Sequence, residues 1–124
     1  MEIRIQRAYD EPARGEGLRV LVDRVWPRGR AKDELAIDRW LKSVAPSTEL
    51  RKWFDHGPDK WTEFKKRYFA ELRDCKEELR ELLDEAGEGP ITLVYGARET
   101  RYNNAVALRE YLNRMQAGSA SHSS

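Results

Sequence analysis

The stretch Asp23-Arg24-Val25-Trp26-Pro27-Arg28-Gly29-Arg30 concentrates side chains suited to holding an anion. Arginine forks meet carboxylate or phosphate oxygens in paired hydrogen bonds, and an indole offers a flat stacking face. Arg24, Arg28 and Arg30 crowd into one short segment and repel one another until something anionic arrives. Arg24, Trp26 and Arg28 are therefore candidate ligand-binding residues. Asp23 is a candidate base, or the partner that orients an arginine. A structural reading stands beside this one: an Asp–Arg pair pinning a Pro-Gly turn, with Trp26 as a core plug.

A second stretch, Tyr95 to Asn104, follows an apolar run and opens onto a helix. Free backbone N–H groups and the helix dipole favour anions there. Tyr95 offers a ring to stack on and Arg98 a positive charge, whereas Asn103 and Asn104 read as caps. Neither a Walker loop nor a dinucleotide fingerprint is present, which disfavours nucleotide-phosphate binding of those kinds. A third stretch, Lys52-Trp53-Phe54-Asp55-His56-Gly57-Pro58, contributes Lys52 as a cation. His56 has the one side chain outside the C-terminal tail whose ordinary pKa suits proton transfer near neutrality, so Asp23 and His56 form the candidate catalytic pair. A capping or surface role is the plainer reading of His56. With Cys75 alone and His56 and His122 as the histidines, no spacing resembles a metal-ligand set. Cys75 falls within an apolar stripe and reads as core.

These loops need elements to position them. Ile3 and Ile5 alternate with polar neighbours as a strand ending near Tyr9, and Leu18–Asp23 is a second strand, apolar on both faces and hence central. Residues 37–44 fit helical spacing better than a strand. Ser47 starts a short helix through Phe54 after Pro46. From Pro58, the residues Trp61, Phe64, Tyr68, Leu72, Cys75, Leu79, Leu82 and Ala86 recur at helical steps. The spacing predicts one amphipathic helix of roughly 28 residues, about 42 Å long, ended by Gly87 and Gly89. Its basic first half led us to expect Arg67 and Tyr68 to face the same cleft as Arg28, with Glu63–Arg67 and Arg73–Glu77 pairs as the plainer alternative. Ile91–Tyr95 is a buried strand, and a last helix follows from Asn103 or Asn104. A long helix feeding an apolar strand implies an α/β fold: a small three-layer sandwich, its mostly parallel sheet flanked by helices.

The bulk numbers bound the function. A chain of 124 residues fits one domain, expected over residues 1–116 with a polar tail at 117–124. Lys and Arg total 23 against 22 Asp and Glu, a neutral balance that disfavours duplex nucleic-acid binding. No N-terminal apolar region and no apolar run near twenty residues occur, so neither secretion nor a membrane span is expected, and the cytoplasm is the expected location. A lone cysteine suits a reducing compartment.

The blocks L-R-V-L-V-D-R-V-W-P-R-G, A-P-S-T-E-L-R-K-W-F-D-H, W-T-E-F-K-K-R-Y and I-T-L-V-Y-G-A-R, with N-N-A-V-A-L-R-E-Y-L, occur in this order. Together they resemble the YeaO-like family of prokaryotic proteins, a domain-of-unknown-function family (488), from Ile3 to about Leu112. The matching positions include Asp23, Arg24, Trp26, Arg28, Pro46, Arg51, Trp53, His56 and Tyr95. The resemblance implies no settled biochemical role and leaves cofactors unknown. Family members often carry histidines near the start of the final helix, where this chain has Tyr102 and Asn104, a departure that weakens a His-based or metal mechanism there. The leading expectation is a domain that binds a phosphate- or carboxylate-bearing small molecule, as a binder or an enzyme. Arg28, Lys52, Arg67 and Arg98 would neutralise the ligand, and Trp26 or Tyr95 would stack on it. The alternatives are a nucleic-acid accessory protein contacting backbone phosphates, and a protein–protein module. Either a monomer or a homodimer is compatible with each.

Overall fold

The computed structural model describes residues 2–10, 17–55 and 57–123, with no side-chain description for Lys32 and residues 118–123. His56, one half of the expected catalytic pair, lies outside the described residues. Four parallel strands form one sheet: β1 (Ile3–Arg7), β2 (Leu18–Leu21), β3 (Arg39–Trp40) and β4 (Ile91–Tyr95), in the order β1-β4-β2-β3. β4 is buried along its whole length between β1 and β2, so both of its faces are apolar. β1 lies at an edge and keeps the alternation of Ile3 and Ile5 with Arg4 and Gln6.

The period-2 geometry sorts side chains into two layers. On one face Ile3, Val20, Val22, Ile91, Leu93 and Tyr95 join the main core. Covering them are helices α2 (Thr48–Phe54), α3 (Trp61–Arg73), α4 (Lys76–Ala86) and α5 (Asn104–Ser123). The opposite face is covered thinly by α1 (Lys32–Leu35). There Ala8, Leu21, Leu35 and Val94 form a second cluster, packed against Trp26, Ile37 and Trp40. The result is an α/β sandwich with one thick and one thin helical layer. Arg19 is buried on the thin side, where its Nε donates to the Leu35 carbonyl at 2.9 Å and its Nη1 to Gln6 Oε1 at 2.6 Å.

Two expectations need correction. Residues 37–44 form no helix: Arg39–Trp40 pair with β2, and Lys42–Val44 make one 3-10 turn. Leu41 N–H donates to the Leu21 carbonyl at 3.0 Å, so sheet pairing overrides the helical spacing. The expected 28-residue helix is a 3-10 turn at Pro58–Lys60 followed by α3 and α4. At the break Asp74 N–H and Cys75 N–H donate to the carbonyls of Glu71 and Leu72, three residues back, tightening the last turn of α3. The break re-aims α4, whose Glu85 pairs with Arg39 at 2.7 Å on the β3 edge. Gly87 ends α4 at a positive φ of 62°, a backbone conformation that favours glycine, at the position where the sequence predicts the stop. Among the described residues no helix is long and apolar enough to cross a membrane.

Candidate functional site

Open α/β sheets place ligands beyond the carboxyl ends of their strands. Such a hollow of about 480 Å³ lies beyond β2 and β4, within the ordinary size range of small-molecule sites. Asp23 and Arg24 enter it from the end of β2, and Gly96 and Ala97 from the end of β4. Thr48, Arg51, Lys52 and Asp55 form the wall along α2, and Asn104 stands at the first turn of α5. Pro46, Phe54 and Phe64 supply apolar lining, with Phe54 and Phe64 stacked at 4.1 Å.

α2 is fixed by its own sequence. Ser47 Oγ caps it by accepting the Leu50 N–H at 3.2 Å. The same hydroxyl donates to Glu71 Oε2 at 2.7 Å, while Ser47 N–H donates to Glu71 Oε1 at 2.8 Å. Glu71 of α3 thus sets the position of the helix that presents Arg51 and Lys52. Neither of these two side chains has a hydrogen-bonding or ionic partner among the described residues. From the end of β2, Arg24 Nη2 reaches the Ala45 and Pro46 carbonyls just before α2 only at 3.5 and 3.4 Å, at the limit of hydrogen bonding.

Asp23 is heavily engaged. Its Oδ2 accepts the Gly96 N–H at 2.7 Å, its Oδ1 accepts from Asn104 Nδ2 at 3.1 Å, and its carbonyl accepts Trp40 Nε1–H at 2.8 Å. A Cβ placed on Gly96 would lie 3.1 Å from Asp23 Oδ2, so a residue without a side chain suits this approach. Asn103 caps α5 by accepting the Val106 N–H at 3.0 Å. Asn104 instead donates to the Val22 carbonyl at 3.0 Å and to Asp23.

The structure therefore brings Asp23, Arg24 and Lys52 together, and adds Arg51 and Asn104, which the sequence reading did not count as ligand-binding residues. Others named from the sequence lie elsewhere. Trp26 packs edge-on against Trp40 in the second cluster, with ring centroids 5.3 Å apart, and donates Nε1–H to the Arg30 carbonyl at 2.7 Å. Arg28 is exposed, and its carbonyl accepts from Tyr9 Oη at 3.2 Å. Arg67 pairs with Glu63 at 2.9 Å and lies 4.1 Å over the Trp53 ring; it does not turn toward the cleft. Tyr68, expected beside it, is buried and donates to the Val44 carbonyl. Tyr95 is buried in the main core, where desolvation raises its phenol pKa against the lowering influence of Arg7. Arg98 is exposed and is not among the lining residues. Among the described residues no group of acidic, histidine or cysteine side chains is placed to hold a metal ion.

The chain has sequence relatives. The family described as "Inactive DUF488-N3 subclade" matches residues 2–124. The chain is 43% identical over 112 residues to the uncharacterised protein YeaO of Escherichia coli K12, covering 90% of this chain and 97% of that one. The chain belongs to the YeaO-like DUF488 family. Two further members of this family, uncharacterised protein Mb3100c of Mycobacterium bovis and uncharacterised protein Rv3073c of Mycobacterium tuberculosis, are each 40% identical over 111 residues, covering 90% of this chain and 93% of theirs. No solved structure matches the chain.

Proposed function

We propose that this DUF488-family protein binds a small anionic molecule in the hollow beyond β2 and β4, and binds it without turning it over. The observation that carries the reading is the presence of Arg24, Arg51 and Lys52 in the lining of one hollow, with no ion pair to any of them among the described residues. Several basic side chains elsewhere are matched, as in Arg39–Glu85, Lys65–Glu110 and Arg67–Glu63. These three exposed cations, against the carboxylates of Asp23 and Asp55, leave the lining with a positive excess that favours an incoming anion.

Binding is favoured over catalysis by the state of Asp23. Both of its oxygens are already engaged, by the Gly96 N–H and by Asn104 Nδ2, which fits a structural latch. The description of the matching family as an inactive subclade supports the same reading. The nucleic-acid alternative has less support, since the tryptophan faces are used internally. Trp53 lies under Arg67, Trp26 packs against Trp40, and Trp61 stacks on Phe64.

The test is thermal unfolding with phosphate, sulfate or acetate at matched ionic strength. A ligand at a hundredfold excess over its Kd stabilises by about 2.7 kcal/mol, which raises Tm by about 10 °C for a domain of this size. The native chain is expected to respond, and Arg24→Ala and Lys52→Ala are expected to lose most of the response while keeping their ligand-free Tm. Equal responses from native and variant chains would remove the site.

A further inference from the structure

We infer that the occupant is a phosphate ester whose body carries a hydroxyl group, and that Asn104 selects the hydroxyl. This rests on the anion-binding reading above.

The charge layout points to phosphate. Arg24 comes from the end of β2 and reaches the Ala45 and Pro46 carbonyls, whereas Arg51 and Lys52 come from α2 itself, so three cations of different origin line one hollow. A carboxylate holds two oxygens in one plane and is satisfied by a single guanidinium fork. A phosphoryl group carries close to two negative charges and three terminal oxygens that point in different directions, so it can engage several cations together. Thr48 adds a hydroxyl to the same lining.

Asn104 points to the rest of the molecule. The Val22 carbonyl and the Asp23 carboxylate are both acceptors, so the NH₂ of Asn104 must face them, at 3.0 and 3.1 Å. That fixes the amide orientation and leaves Oδ1 able only to accept. No donor among the described residues reaches Oδ1, although Asn104 is half-buried and lines the hollow. A bare anion has no use for an oriented acceptor, whereas a hydroxyl does. Pro46, Phe54 and Phe64 leave room for a short carbon skeleton between the two ends.

The experiment is calorimetric titration of the full chain with glycerol 3-phosphate, propyl phosphate, inorganic phosphate, glycerate and propionate. Glycerol 3-phosphate and propyl phosphate share a three-carbon skeleton and differ in their hydroxyls. The native chain should bind the former about tenfold more tightly, the effect of roughly one neutral hydrogen bond. In Asn104→Ala that ratio should fall to about one, with propyl phosphate still bound. A lost fold or a lost latch would weaken both ligands alike and would not move the ratio. Equal binding of the two esters by the native chain overturns the hydroxyl assignment without recourse to any variant. So does an unchanged ratio in Asn104→Ala. Binding of glycerate or propionate but of no phosphate species overturns the ester class and leaves the anion reading standing. Binding of none of the five removes both.

Discussion

Asp23 Oδ2 accepts the main-chain N–H of Gly96 at 2.7 Å, joining the ends of β2 and β4 across 73 positions of sequence. The other oxygen of the same carboxylate receives Asn104 at the start of α5. One side chain thus ties together three of the segments that line the hollow. Its place just past a central strand allows this, because the adjacent parallel strands β2 and β4 end side by side.

Removing that carboxylate should loosen the cleft and the fold together. Asp23→Ala leaves the Gly96 N–H and one Asn104 N–H without acceptors, and is expected to lower unfolding free energy by about 2–3 kcal/mol. Asp23→Asn keeps one carbonyl oxygen to accept from Gly96 and should lose about 1 kcal/mol. Urea denaturation checks both the magnitude and the order. An Asp23→Ala chain within about 0.5 kcal/mol of the native one would mean that the latch holds nothing.

How far was this legible in the sequence? The central strands were, because Leu18–Leu21 and Ile91–Tyr95 carry apolar residues on both faces, Arg19 and Thr92 being the exceptions. So were the cap at Ser47 and the stop at Gly87, whose chemistry is local. Residues 39–40 were not, because their strand character comes from pairing with Val20 and Leu21. In the site, Asp23, Arg24 and Lys52 were legible as loop and helix residues beside strand ends. Arg51 was not, although adjacent residues on a short helix can share one cleft. Tyr95 was readable as core, since it shares a strand face with Ile91 and Leu93. The fates of Trp26 and Arg67 depend on partners distant in sequence or on an adjacent ring, Trp40 and Trp53, which spacing alone does not reveal.

Alkaline pH should destabilise the protein. Burial raises the Tyr68 phenol well above its ordinary value of 10.0, with Asp23, Cys75 and Glu71 pushing the same way. Burial likewise raises Tyr111 from 10.0 and Cys75 from 9.0. A group whose folded pKa lies above its unfolded one holds its proton longer in the folded state. Its stabilisation is complete below the unfolded value and is lost as pH rises toward the folded one. Unfolding free energy should therefore be level up to about pH 9 and then fall. Tyr68→Phe should cost about 1 kcal/mol at pH 8, through the lost bond to the Val44 carbonyl. Above pH 10 its curve should be shallower than the native one, the difference growing toward about 1.4 kcal/mol per pH unit as the unfolded phenol ionises, because one proton fewer is released on unfolding. Parallel curves for the two chains between pH 10 and 11 would show that Tyr68 does not hold its proton in this way.

Trp26 separates stability from binding. It is half-buried, packs edge-on against Trp40 and uses its Nε1–H on the Arg30 carbonyl, all on the thin side of the sheet. Trp40 in turn donates to the Asp23 carbonyl, so the pair supports the loop that leads into the hollow without lining it. Trp26→Leu removes the edge contact and the hydrogen bond, and should lower stability by about 2–3 kcal/mol. At a temperature where the variant is folded, its affinity for an anion should stay within about twofold of native. Arg28→Ala, at an exposed position, should change neither stability nor affinity appreciably. Denaturation and titration on the same samples check both. A tenfold loss of affinity in folded Trp26→Leu would put the indole back at the ligand, and the hollow between β2 and α2 would no longer account for binding by itself.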